Sequence, residues 1–228
     1  MTLRTPATLL SACALAFGAA ACGSDSESAS SGSSGSSPSS SSSQSAAKPV
    51  AKIDQLTGRT TQVKLDPIFV KALTSLKLTP SPLGKAKISK AGVATFPITG
   101  GNVTYYKPGT VSPYVQGEID HKGSGLQLKG AGKTVRLTNF VIDPGASVLT
   151  GKVTVNGKIA APSAPLFFLD GRTLKPLKVK DDGTAVLQGT TVKFKDESAQ
   201  LLNKTFGTDA LKGGLTVGVA KITVNTGA

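Results

Sequence analysis

Apolar and polar residues alternate along several short stretches of this chain, and each stretch stops at a turn signal. Thr134-Val135-Arg136-Leu137-Thr138 alternates in this way, as do Gly151–Val155 and Thr190–Phe194. Alternation with period two places successive side chains on opposite faces, which describes strands with one buried face. Turn residues punctuate the pattern at Gly100-Gly101, Lys107-Pro108-Gly109, Asp143-Pro144-Gly145, Asn156-Gly157 and Asp182-Gly183. Asn156-Gly157 lies between Val155 and Ile159, the setting of a type I′ hairpin turn, in which both central residues need positive φ. Strands at this spacing predict a mainly β fold, an antiparallel two-layer sheet or sandwich.

Two short helices interrupt the strands. Asp66 can cap the first, with Pro67 at the first helical position, where a missing N–H costs nothing. Phe69, Leu73 and Leu76 then share a face. Asp196 is the expected cap of the second, Ala199, Leu202 and Phe206 share its face, and Gly207 ends it. The helices sit in a suspected internal repeat of strand, helix, loop and strand. Thr61-Gln62-Val63-Lys64-Leu65 matches Thr190-Thr191-Val192-Lys193-Phe194, Leu73 matches Leu202, and Gly84–Ile88 matches Gly218–Ile222.

The N-terminal part speaks to location. Residues 1–21 carry one early cation, Arg4, then an apolar run through Phe17, and end in Ala19-Ala20-Ala21 before Cys22. A short apolar core before small residues is an export signal, too short for a permanent membrane helix. Small residues directly before a cysteine resemble a bacterial lipobox, so Cys22 is the expected lipid attachment point. Residues 22–47 are dominated by serine and have almost nothing apolar to bury, so they are expected to be a disordered tether. Its coil reach is ~25–30 Å. Residues 48–228 are then the folded domain, expected on the outer face of the cell membrane.

About 180 residues is one domain's length and can bury a real core. With the signal removed, the only remaining cysteine is Cys22, so the folded part depends on packing rather than disulfides. The net charge of +13 comes from lysines spread along the domain. A basic surface suits an acidic envelope polymer. No block of cations and no aromatic–basic interleaving appears, and an exported, tethered chain is not expected to meet nucleic acid.

Familiar catalytic motifs fail on spacing. Gly130-Ala131-Gly132-Lys133-Thr134 lacks the earlier glycine of a phosphate loop, precedes a strand instead of a helix, and reads as a hairpin turn. Gly123-Ser124-Gly125 lacks the flanks of a nucleophile elbow. One histidine and no free thiol exclude a multi-histidine or cysteine zinc site. That histidine, His121, is expected at a strand end beside glycines, and Asp120 next to it points to the other face, so the two form no acid–base dyad. Tyr105, Tyr106 and Tyr114 precede it in a Pro/Gly-rich segment. His121 reads as a structural histidine bonding a loop backbone or as a ligand contact, and the tyrosines as caps of the core or as a binding group. Together they are the only plausible binding constellation in the sequence.

Several ordered elements resemble the HtaA-type domains of actinobacterial cell-surface haem-uptake proteins. They are Ile119-Asp120-His121-Lys122-Gly123-Ser124-Gly125-Leu126, Val135–Asp143, Asn156-Gly157, Leu166-Phe167-Phe168-Leu169-Asp170, the Ala199–Gly207 helix and Gly218-Val219-Ala220. The resemblance implies a two-layer β fold with two short helices. It also implies haem held by a tyrosine on the first helix, with help from a histidine that His121 matches. The first helix here, Ile68–Leu76, has neither tyrosine nor tryptophan, which leaves His121 or a loop tyrosine as axial donor. The expectation is a non-enzymatic, lipid-anchored surface domain that binds haem or another small hydrophobic ligand near His121, Tyr105, Tyr106 and Tyr114. The alternative is a structural or adhesion module that binds acidic envelope polymer or a protein through its basic surface.

Overall fold

In the computed structural model, which describes residues 47–226, the strands join edge to edge into one antiparallel sheet. The expected export signal, Cys22 and nearly all of the serine-rich tract lie outside the described residues. The chain runs through β1 (Ala51–Ile53), β2 (Thr60–Leu65), α1 (Pro67–Ser75), β3 (Thr79–Gly84), β4 (Lys87–Ile88), β5 (Val93–Pro97) and β6 (Gly100–Tyr105). It continues through β7 (Val115–Gly130), β8 (Lys133–Asp143), β9 (Val148–Val155), β10 (Lys158–Asp170) and β11 (Lys178–Lys180). It ends with β12 (Thr184–Phe194), α2 (Asp196–Phe206) and β13 (Thr216–Asn225). The sheet order is β1-β6-β7-β8-β9-β10-β12-β13-β2-β5-β4, with β11 beside β12 and β3 beside β7. The sheet curls until its two halves face each other. His121 of β7 reaches Thr61 of β2 at 2.8 Å, and Phe96 of β5 stacks edge-on against Phe140 of β8 at 5.3 Å. The expected mainly β, two-layer antiparallel architecture is the observed one.

Local signals explain the hairpins. Asn156 and Gly157 take φ of 49° and 83°, the type I′ geometry, and pair Val155 with Lys158 across the turn. Ala131 and Gly132 do the same between Gly130 and Lys133, so that glycine-rich segment is a turn. Gly100-Gly101, expected as a turn, instead begins β6, opposite Asp120 and Ile119. Gly101 has φ +108°, and a Cβ there would lie 1.9 Å from the Glu118 carbonyl oxygen. Close backbone approach, not chain reversal, accounts for that glycine.

The helices follow their caps. Asp66 accepts a hydrogen bond from the Ile68 amide at 2.7 Å with Pro67 at the start of α1, and Phe69 and Leu73 are buried beneath it. For α2 the expected cap is displaced by one residue. Lys195 occupies the N-cap without a side-chain bond, and Asp196 and Glu197 form the first helical turn, where negative charge complements the helix dipole. Gly207 closes α2 at φ 68°. Ala199, Leu202 and Phe206 are all buried.

The repeat holds for strand and helix and then diverges. Leu73 and Leu202 are each 2% exposed. β13 returns to pair with β12 after α2, whereas β3 and β4, which follow α1, pair with β7 and β5. Pro80 and Pro82 lie in β3, which sits at a sheet edge where missing amide donors are tolerated. The two units meet directly, because β2 pairs with β13 with Val63 opposite Ala220.

Candidate functional site

One end of the space between the sheet halves is not filled by side chains. A cavity of about 320 Å³ remains there. Protein interiors are close-packed, so a void of this size at the core of a domain needs an explanation. One wall comes from β1, β6, β7 and β8, through Ile53, Val103, Ile119 and Ile142. The facing wall comes from β12 and β13, through Ala185, Leu187, Ala220, Ile222 and Val224. Period-two alternation places those residues on one face, and register pairs Ala185 with Val224 and Leu187 with Ile222. Ala51, Ala185 and Ala220 are small, so the opposed walls do not touch. Ile53, Val103, Leu187 and Ile222 point inward yet stay only partly buried.

The segment between β10 and β11 covers part of the cavity with Leu174 and Leu177. Several bonds pin it. Asp170 accepts from the Arg172 amide at the start of a 3₁₀ turn (Gly171–Thr173), and it pairs with Arg172 Nη2 at 2.6 Å and Lys193 Nζ at 2.9 Å. These cations hold the Asp170 carboxyl well below the usual carboxylate range, the Arg172 hydrogen bond being the largest cause. The Lys175 amide donates to the Gln188 carbonyl at 2.8 Å, and Thr173 Oγ1 to the Gly189 carbonyl at 2.6 Å. A Cβ on Gly189 would lie 2.3 Å from the Thr173 oxygen, so the close approach requires glycine. Sequence reasoning missed this strap. A glycine inside a strand pattern was the signal for it.

The tyrosines divide. Tyr105 and Tyr114 both line the cavity, their rings 5.9 Å apart and edge-to-face. The Tyr106 amide bonds the Tyr114 carbonyl at 2.8 Å, which extends the β6–β7 hairpin and holds the pair in register. Tyr106 itself is not in the lining. Tyr105 is buried and Tyr114 half-buried, beside exposed Ser112 and Pro113 where the lining reaches solvent. Neither cavity tyrosine hydroxyl has a hydrogen-bond partner among the described residues, and neither is sealed from solvent. Burial, and then the neighbouring Tyr105, push the Tyr114 hydroxyl up, so it stays a neutral donor. The remaining polar lining is Ser112, Ser147 and Thr190, and no lining residue is charged.

His121 lies apart from the tyrosines. It sits inside β7 rather than at a strand end, just before a bulge at Lys122–Ser124. Gly123 at φ 72° permits that bulge, which is held by Asn139 Oδ1 accepting from the Gly123 amide at 3.1 Å. Tyr114 and His121 are seven strand residues apart, roughly 20 Å at the strand rise. His121 is 1% exposed and borders a second apolar void of about 50 Å³ with Thr61 and Phe140. Its Nδ1 faces the Phe140 carbonyl at 3.3 Å and its Nε2 faces Thr61 Oγ1 at 2.8 Å. A carbonyl only accepts, so Nδ1 carries the proton and Nε2 accepts from the threonine hydroxyl. Asp120 pairs with Lys122 Nζ at 2.9 Å, on the other face.

Comparison with known proteins rests on structure alone. No family model matches the chain, and no curated protein is similar to it in sequence. The C-terminal domain of HtaA from Corynebacterium glutamicum superposes with a TM-score of 0.51 at 12% identity, covering 75% of this chain and 98% of that domain. This chain has the fold of that domain. A domain-swapped dimeric variant of the same domain is also similar, with a TM-score of 0.44 at 12% identity over 71% of this chain and 94% of that one.

The lining fits a haem poorly at its carboxylates. Iron needs an axial donor, and haem carries two carboxylates. The one histidine has its Nε2 lone pair engaged by Thr61, and α1 supplies no tyrosine. The cavity offers no cation, and the oxygen donors it holds for iron are the hydroxyls of Tyr105 and Tyr114. Among the described residues no cluster of three metal-type side chains occurs.

Proposed function

We propose that the chain is a non-enzymatic binding domain that takes a small hydrophobic ligand between the two halves of its sheet. The observation that carries this reading is the apolar cavity of about 320 Å³, within the roughly 300–1,000 Å³ of small-molecule sites. Its partly exposed aliphatic walls gain about 25 cal/mol for each Å² that a ligand removes from water. The protein's only imidazole is buried with both nitrogens engaged, which supports binding rather than catalysis.

An apolar fluorescent probe, N-phenyl-naphthylamine, tests the reading. Its emission is expected to rise and saturate on titration with the domain. Ile222→Trp and Leu187→Trp, which project bulk into the cavity from partly exposed positions, are each expected to remove the signal while leaving the far-ultraviolet spectrum unchanged. Undiminished probe uptake in both folded variants would place binding elsewhere.

The same proposal anchors the domain outside the cell through a lipid on Cys22. Cys22→Ala is expected to move the protein from the membrane fraction to the medium. Retention of that variant in the membrane would sink the anchor.

A further inference from the structure

Deepening that reading, and resting on it, we propose that the cavity selects an alkyl chain bearing an uncharged polar head, with the chain between the sheet halves and the head at Tyr105 and Tyr114. The walls set the first half of this. Ile119 and Ile142 on one side and Leu187 and Ile222 on the other present only hydrocarbon. Hydrophobic association is non-directional, so within the cavity's size the walls take flexible hydrocarbon and select by excluding charge.

The tyrosine end sets the second half. Two hydroxyls without protein partners sit against an otherwise apolar lining, near the exposed Ser112–Pro113 rim. A head that both accepts and donates hydrogen bonds there satisfies groups that a pure hydrocarbon would leave unpaired once water is displaced. A carboxylate drawn to the same place finds no lysine, arginine or histidine in the lining. Even partial desolvation of an unpaired carboxylate beside the rim costs more than that of a hydroxyl. The protein's large positive charge does not remedy this, because it is carried outside the lining. An alcohol or a monoacylglycerol therefore suits the site, and a fatty acid or a haem does not.

The experiment is displacement of bound N-phenyl-naphthylamine from the wild-type domain by decanol, monodecanoylglycerol, decanoate and haem at one pH near neutrality. Decanol and monodecanoylglycerol are expected to displace the probe at least tenfold more effectively than decanoate, with haem weaker still. Tyr114→Phe is expected to weaken decanol by about threefold to tenfold more than it weakens the probe, one hydrogen bond's worth. Decanoate or haem displacing as well as decanol would overturn the proposal and leave the binding reading intact. No probe uptake at all would remove the binding reading itself. An equal effect of Tyr114→Phe on probe and alcohol would show that the ring, not its hydroxyl, holds the site together, and would remove the head-group assignment.

Discussion

Phe194→Ala is expected to lower the stability of the domain by about 3–5 kcal/mol, the range for removing a buried phenylalanine. For a domain of this size that corresponds to a fall in Tm of roughly 6–20 °C. The ring is 4% exposed and joins three elements. It packs on Phe69 of α1 at 5.8 Å and on Phe167 of β10 at 5.3 Å, both at tilted angles that favour aromatic pairs. Its backbone is fixed on both sides, with the Phe194 amide donating to Leu215 and its carbonyl accepting from Gly214. A void of about 80 Å³ already borders the ring beside Leu137 and Leu202, so neighbours that could collapse into the lost volume are few. Denaturant unfolding checks the result, read as a shift in midpoint at constant slope. A loss under about 1 kcal/mol would mean that the aromatic cluster is peripheral to the core.

Local chemistry is what the sequence made legible. Asn156-Gly157, Asp66-Pro67 and Gly207 each specify backbone geometry from within a few residues, and each forms the expected structure. Asp196 missed by one position because Lys195 takes the extended cap conformation and leaves the carboxylate inside the first turn. Gly123 and Gly125 looked like the end of a strand. Gly123 sits in a bulge within a 16-residue strand and Gly125 resumes the ladder, because β3 and β8 continue the pairing beyond it.

The cavity was not legible, for a related reason. It arises where Ala185 and Ala220 of β12 and β13 come to face Ile119 and Ile142 of β7 and β8, with Ala51 of β1 on the wall of the isoleucines. No window of the chain contains both walls. Grouping aromatics by sequence proximity placed His121 with the tyrosines, but β7 carries the histidine a strand's length away into a different part of the interior. Two of the grouped residues, Tyr105 and Tyr114, line the same cavity. The glycines tell a similar story. Gly101 and Gly189 stand where another backbone approaches within reach of a Cβ, a requirement set by partners that the local pattern does not name.

Stability is also expected to fall as pH drops from about 6.5 to about 4, through His121. Burial is the main cause that lowers its pKa to about 4, against weaker opposing effects of the Phe140 carbonyl and the Asp120 charge. In the unfolded chain the imidazole titrates near its ordinary value of about 6.5. Between those values the unfolded state binds the extra proton and the folded state does not, so acid favours unfolding. The contribution is complete above pH ~6.5 and fully lost below pH ~4, amounting to about 3 kcal/mol over that window and about 2 kcal/mol between pH 7.5 and 5. The structural reason is burial: protonation would place a charge in an apolar interior and force the Thr61 hydroxyl to turn round and accept from Nε2 instead of donating to it. The chain contains one histidine, so the slope near pH 6 can be assigned. Asp170 and Asp182 are both shifted down, so their losses fall at lower pH. Denaturation at pH 7.5 and pH 5 of the wild type and His121→Gln provides the test. The variant is expected to be less stable at pH 7.5 and to lack most of the wild-type decline. Parallel declines in the two proteins would show that His121 is not the group being titrated.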